Sequence, residues 1–433
     1  MQECLFRMPA DRSCLARRLA RRTVLFDRSL MADVSALFDQ VAREGDAAVL
    51  AATRKHDGVA LDGLRLTDAE AAACAASLPE DLRRAVAVAI ANIEAVNRVL
   101  RPLSWQREIR PGTLVGEQVA PLDSVGLWIP ARKGPLISTA LMLTVAARVA
   151  GVKRIAVGAP PTPGGSIDAG TVAAAAMAGA NEFYVGNGVG LIAAWSVGTP
   201  SVPQVDGIFG PGPGAIAAAM AAAFSYGRRT VMGIGPSDSM VVADDSARPD
   251  LLACDLANEA EHGTDSASVL VTTCEGVATS VAARLAAMIA EAPQGRKGVL
   301  QHVFGPAGMG AVVLAGDDRE VWDLVNAFAP EHLMLACRRE GIEEGLREVR
   351  NAGEILLGDT TPFSAANYAL GITAVLPTNA CARAFSGITC RDMMKCSTIG
   401  SLDRSALAAL TPTIEAIGRY EGLPFHVRAA QER

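Results

Sequence analysis

Between residues 30 and 100 the apolar positions recur every three or four residues. "SALFDQVAREGDAAVLAATRKH" and "PEDLRRAVAVAIANIEAVNRVL" each carry one apolar stripe on a polar remainder, the pattern of amphipathic helices. From Ser124 the period changes. Short apolar runs now alternate with helical stretches: "SVGLWIP", "STALMLTVAARVAG", "RIAVGAPP", "AGTVAAAAMAGA", "EFYVGNG". Near-continuous apolar runs are strands buried on both faces, and strands that alternate with helices build a parallel sheet. A second round follows in "TVMGIG", "SMVVAD", a helix over 249–262, "SVLVTT", another helix and "AVVLAG". After "EILLGD" (354–359) the pattern becomes irregular, then ends in a short helix and a polar tail. The predicted fold class is α/β, with two Rossmann-like parallel-sheet domains.

Composition narrows the picture. The chain has 433 residues, room for two or three cores, and is 50% hydrophobic but only 4% aromatic, which suits helices packed on aliphatic strands. A net charge of −6 speaks against nucleic acid as a partner. No apolar stretch reaches the ~18–20 residues of a membrane span. The first 25 residues hold arginines but no apolar signal core, so the expectation is a soluble cytoplasmic protein. The nine cysteines are scattered with no C-x-x-C pair, so neither a disulfide framework nor a thiolate zinc site is expected. Cys381, Cys390 and Cys396 read as half-buried thiols. Two glycine clusters, "GNGVG" (186–190) and "GPGPG" (210–214), each stand between a strand and a helix. Such a turn presents amides to a phosphate or simply turns tightly; spacing alone leaves both open.

The chemistry concentrates on few residues. Of five histidines, His56 and His302 read as surface residues. The other three have a glutamate close by: Glu259 with His262, three apart on one helix face; Glu331 with His332 in "FAPEHL"; and Glu421 with His426 in the tail. Each pair alone reads as a solvated helix end. Three such pairs in a histidine-poor chain point to a metal or acid–base centre.

The ordered segments "SVGLWIP…GPLISTALMLTVAARVAGVKR", "VPQVDGIFGPG", "GPSDSMVVAD", "AEHGTDS", "APEHL", "NAGEILLG", "VLPT" and "EGLPFH" resemble those of the histidinol dehydrogenase family, from about Ala36 to the end. Those enzymes contain zinc and oxidise L-histidinol to L-histidine in two NAD-linked steps. The resemblance implies Zn2+ and NAD as cofactors and a small-molecule substrate. Carried over by position, the zinc ligands are Glu259, His262, Asn367 and His426; the family's Gln and Asp have become Glu259 and Asn367. Four N/O donors with one negative charge remain, a set zinc accepts. Glu261 reads as a solvent-facing neighbour. By the same resemblance His332 accepts the alcohol proton, Glu331 activates water, Ser237 and Glu421 contact substrate, and Trp128 contacts NAD. A homodimer is implied, its tails exchanged so that His426 serves the partner's site. The predicted division is a segment 1–26, a first domain from 27–127 and 240–386, a second over 128–239, and a dimerisation tail over 387–433.

Some positions depart from the family pattern. Ala131–Arg132 replaces a Gly-Gly, followed by Lys133; Ala374 replaces a substrate-facing histidine; Trp128 replaces Tyr; "GNGVGL" lacks a Gln; Pro213 replaces Asn. The leading expectation is a zinc-dependent, NAD-linked dehydrogenase of an amino alcohol or related alcohol other than histidinol. Rival readings are a dehydrogenase of an anionic alcohol met by Arg132 and Lys133, a metal-dependent non-redox enzyme that has lost NAD, and a non-catalytic binding protein.

Overall fold

The computed structural model describes residues 4–20, 28–131, 134–212, 214–231, 233 and 235–433. Arg132, Lys133 and Pro213 lie outside the described residues. After β1 (Leu5–Arg7) come the helices Arg28–Glu44, Asp46–Asp57, Asp68–Ser77 and Glu80–Leu100, where the periodicity predicts them. In the last of these Val86, Ala89, Ile93 and Asn97 face inward, the spacing of one helix face. Next, β2 (Trp105–Arg110) and β3 (Thr113–Pro121) form an antiparallel hairpin. Its turn needs Gly112, at φ +70 with the Asp403 carboxylate against the place a Cβ would occupy.

Two parallel sheets carry the rest. β4 (Ser124–Trp128), β5 (Arg154–Ala159), β6 (Glu182–Val185) and β7 (Gly207–Phe209) make a four-stranded sheet in the order β6-β5-β4-β7. β8 (Asp238–Ala243), β9 (Ala267–Thr272), β10 (Ala311–Leu314), β11 (His332–Ala336) and β12 (Glu354–Leu357) join β1 in a six-stranded sheet, β1-β10-β9-β8-β11-β12. Every residue of β4, β8, β9 and β11 is buried. The expected α/β architecture is therefore present.

Three expectations change. The antiparallel sheet β13-β3-β2, closed by β13 (Met394–Leu402) along the whole of β3, was not expected. All of β2 is exposed and so is most of β13, so neither strand shows an apolar face in its sequence. Secondly, "TVMGIG" (230–235) forms no strand among the described residues. Gly233 sits at φ +88, and its carbonyl accepts from Thr378 N at 2.7 Å instead. Thirdly, the helices over 28–100 pack on the four-stranded sheet and not on the strands of 240–386. Val34, Phe38 and Val49 share a core with Leu191 and Trp195, and Val86 and Ile93 share one with Leu143 and Val157. Amphipathic stripes state that a helix packs, not on which sheet.

The six-stranded sheet places the candidate residues. Its strand order reverses between β8 and β11, a switch point of the kind where open sheets bind ligands beyond the carboxyl ends of their strands. Here the candidates stand at the amino end. Asp238, His332 and Glu354 are the first residues of β8, β11 and β12. Helix Pro249–Ala260 leaves the carboxyl end of β8 and returns to this edge before β9, which delivers Glu259 in its last turn.

Candidate active site

Glu259 is fully buried. Its Oε1 accepts hydrogen bonds from Asn258 Nδ2 at 2.7 Å and from Asn367 Nδ2 at 3.3 Å. Its Oε2 has no hydrogen-bond partner among the described residues, although His262 Nε2 stands 3.8 Å away and His332 Nε2 3.9 Å. The helix ends at Ala260 with Glu261 as its cap. Glu261 points to solvent and pairs with Arg296 at 3.7 Å.

Glu331 and His332 stand beside this group. His332 is 3% exposed, with Nε2 3.5 Å from Glu331 Oε1. Its Nδ1 lies 2.5 Å from Glu354 Oε1. Burial pushes the Glu331 carboxyl well above its usual range; His332 opposes this, while Asp238 and Glu259 add to it. For His332, burial works against the charged ring, yet the carboxylates of Glu331, Glu259 and Glu354 outweigh it and hold the imidazole well above its ordinary value. A carboxyl and an imidazole side by side, each with its proton affinity raised by its surroundings, make an acid–base pair. Ser237 immediately precedes Asp238, whose amide donates to Glu331 Oε2 at 3.1 Å; Ser237 thus sits at the same edge.

Zinc suits the donors that one chain assembles. The partnerless Glu259 Oε2 and His262 Nε2 are separated by about the spacing of two donors that each bind zinc at ~2.0–2.2 Å. Asn367 stands on the other Glu259 oxygen. The buried side chains of Glu259, Glu331 and Glu354 crowd around His332, a gathering of acidic groups that a divalent cation would offset. The chain does not bring in the fourth expected ligand. His426, on helix Pro424–Gln431, and Glu421, the residue that caps helix Arg404–Tyr420, are exposed, and the two helices pack on each other. Among the described residues no group of three His, Cys, Asp or Glu side chains forms a metal cluster.

The carboxyl end of the four-stranded sheet offers less to NAD. Trp128 closes β4 and is 4% exposed, with its indole beside Ile216 and over the Cα of Gly188. Its Nε1 has no hydrogen-bond partner among the described residues. The 186–190 turn is tied to helix Asp46–Asp57. Asn187 N donates to Thr53 Oγ1, Asn187 Oδ1 accepts from Gly190 N, and Asn187 Nδ2 donates to the Asp57 carboxylate at 2.8 Å. The cap thus occupies the Gly190 amide and places a carboxylate beside the turn. Ala374 is half-buried against the core of the same sheet.

Sequence reasoning missed three carboxyl groups at the site. Glu354 and Asp238 each open a strand that is otherwise mostly apolar, and that lone charge was the available signal. Asp255 lies one helical turn before Glu259; burial, reinforced by Glu259, pushes it up to about 7.

Fold and site together define an α/β protein with a buried Glu–His pair beside a fully buried glutamate. The comparisons make this specific. The profile of the histidinol dehydrogenase family matches residues 20–433. The histidinol dehydrogenase of Synechocystis sp. is 38% identical over 426 residues, 96% of this chain and 95% of that one. That of Methanothermobacter thermautotrophicus is 34% identical over 416 residues, 96% of each. The crystal structure of histidinol dehydrogenase from Elizabethkingia anophelis superposes with a TM-score of 0.92 at 29% identity, covering 99% of this chain and 97% of that one. The chain belongs to the histidinol dehydrogenase family, a family of oxidoreductases.

Proposed function

We propose that this protein is a zinc-dependent, NAD-linked dehydrogenase of an amino alcohol or related alcohol, and that histidinol is not its own substrate. The observation that carries the reading is the buried group at the amino edge of the six-stranded sheet, with His332 Nε2 3.5 Å from Glu331 and 3.9 Å from Glu259. Glu259, His262 and Asn367 would hold zinc, and a second copy of the chain would add His426. When bound, zinc supplies a Lewis acid and NAD a hydride acceptor. The chain's own residues handle protons: His332 takes the alcohol proton at Nε2, and Glu331, its proton affinity raised by burial, activates water. Ser237, at the edge of this group, orients the substrate, as does Glu421 from the partner. Exchange of tails in a homodimer is supported by the exposed apolar side chains around the tail residues, Tyr420 at 94% and Phe425 at 76%, which invite a partner. No helix among the described residues is long and apolar enough to cross a membrane.

Substrate choice rests on Ala374, where the family places a histidine that faces the substrate. A lost polar contact is worth ~1–3 kcal/mol in discrimination. The test is NADH production by the zinc-loaded protein from L-histidinol and from a panel of amino alcohols. The expected result is turnover of a panel member with L-histidinol poor. A kcat/KM for histidinol of ~10⁴ M⁻¹s⁻¹ or more refutes the substrate claim.

A second reading, a metal-dependent non-redox enzyme, is favoured by the hydrogen-bonded 186–190 turn and the buried Trp128. Calorimetric titration with NAD in the presence of zinc separates the two: saturable binding supports the dehydrogenase, and its absence supports the second.

A further inference from the structure

Glu354 stands directly across from His332 in the parallel register of β12 and β11. The two side chains are 6% and 3% exposed, with Oε1 2.5 Å from Nδ1. Glu354 Oε2 has no hydrogen-bond partner among the described residues. A buried carboxylate with one oxygen unpaired is costly, and a hydrocarbon at this strand position would serve the core better. The rest of the ring is equally constrained. Phe363, itself fully buried, meets the ring edge-on with centroids 5.7 Å apart. Nε2 looks the other way, towards Glu331 Oε1 and Glu259 Oε2. A carboxylate against one imidazole nitrogen keeps the proton on that nitrogen and leaves a lone pair on the other.

We propose that Glu354 is a positioning residue for His332: it holds the ring in the Nδ1–H tautomer and in the plane that presents the Nε2 lone pair to the alcohol proton. The proposal rests on the acceptor role given to His332 above. Glu354 touches no reacting atom and acts through the ring alone. Its place follows from strand register, because the pairing of β11 with β12 puts the first residues of the two strands side by side.

The test combines nitrogen NMR of 15N-histidine-labelled, zinc-loaded protein, at a pH where the ring is neutral, with steady-state kinetics. The resonances of His332 are assigned by their loss in His332→Gln. Wild type is expected to show the Nδ1–H tautomer. Glu354→Gln retains an acceptor oxygen at the same reach and keeps that tautomer. Glu354→Ala shifts the ring towards Nε2–H, and its kcat falls ~10–100-fold while KM and zinc content stay within about twofold. An alanine variant with the wild-type tautomer, or with unchanged kcat, overturns the proposal and leaves Glu354 a hydrogen-bond partner of the core. Where the alanine variant does not fold, Glu354→Met, of similar length and without an acceptor, decides by the same two readouts. If wild type has no dehydrogenase activity, the acceptor role of His332 fails separately, and the tautomer comparison alone decides what Glu354 does.

Discussion

Glu331 and Asp238 exchange hydrogen bonds across the switch point of the six-stranded sheet: Glu331 N donates to Asp238 Oδ1 at 2.7 Å, and Asp238 N donates to Glu331 Oε2 at 3.1 Å. The pair ties a residue expected to move protons to the first residue of the fully buried strand β8. It also places a second negative charge where it raises the proton affinity of Glu331. Asp238 accepts from Asn379 N as well, at 2.8 Å, which ties in the chain beyond the sheet.

Asp238→Ala should therefore lower stability by ~1–3 kcal/mol, since the amides of Glu331 and Asn379 lose their acceptor. Urea unfolding measures it. Asp238→Asn removes the charge with little change of shape, so the pH limb of activity that belongs to Glu331 should move to lower pH. A limb that stays in place would assign that titration to another group.

Glu331→Gln should lower kcat by ~10²–10⁴-fold, the usual worth of a general acid or base, while zinc content stays at the wild-type level. The fold should survive, because Gln keeps the carbonyl oxygen that accepts from Asp238 N. Loss of zinc along with activity would move Glu331 from proton transfer to metal binding.

Metal removal should destabilise the protein, because zinc offsets the surplus of buried carboxylates around Glu259. With zinc at ~100 times its Kd, chelation should remove roughly 2.7 kcal/mol of stability, read as a lower Tm that zinc restores. His262→Ala should show neither the loss nor the recovery. A Tm indifferent to chelator in the wild type would exclude a structural metal at this seat.

The proposed exchange of tails predicts complementation. Protein carrying His426→Ala and protein carrying Glu331→Gln should each be nearly inactive. Hybrid dimers hold one site with both native residues, so a re-associated equal mixture should regain about a quarter of wild-type activity. A mixture that stays inactive would mean that each tail serves its own chain.

Asp255 gives a pH dependence with an unusual sign. Its carboxyl, pushed up to about 7 by burial and by Glu259, keeps its proton in the folded chain after the unfolded chain has released its own. Folded protein then binds more protons than unfolded between about pH 4 and pH 7, so stability falls as pH rises through that window and stays low above it. In metal-free protein Asp255→Asn should flatten this slope and be the more stable form at pH 8. Thermal melts across the range decide, and a wild-type slope of the opposite sign would exclude a raised Asp255.

The helices over 28–100 and the strands β4, β8 and β9 were legible in the sequence, because burial on one helix face or on both strand faces writes its period into neighbouring residues. So were the Glu–His pairs at 259/262 and 331/332, each held within one turn or one step of the chain. The antiparallel sheet was not legible, since its outer strands bury too little to carry a pattern. Nor was the company of His332. Glu354 reaches it from 22 residues away, and Asp238 braces Glu331 from 93. Those meetings depend on which strands lie side by side and in what register. Long-range packing of the whole sheet decides that order, and no local period encodes it.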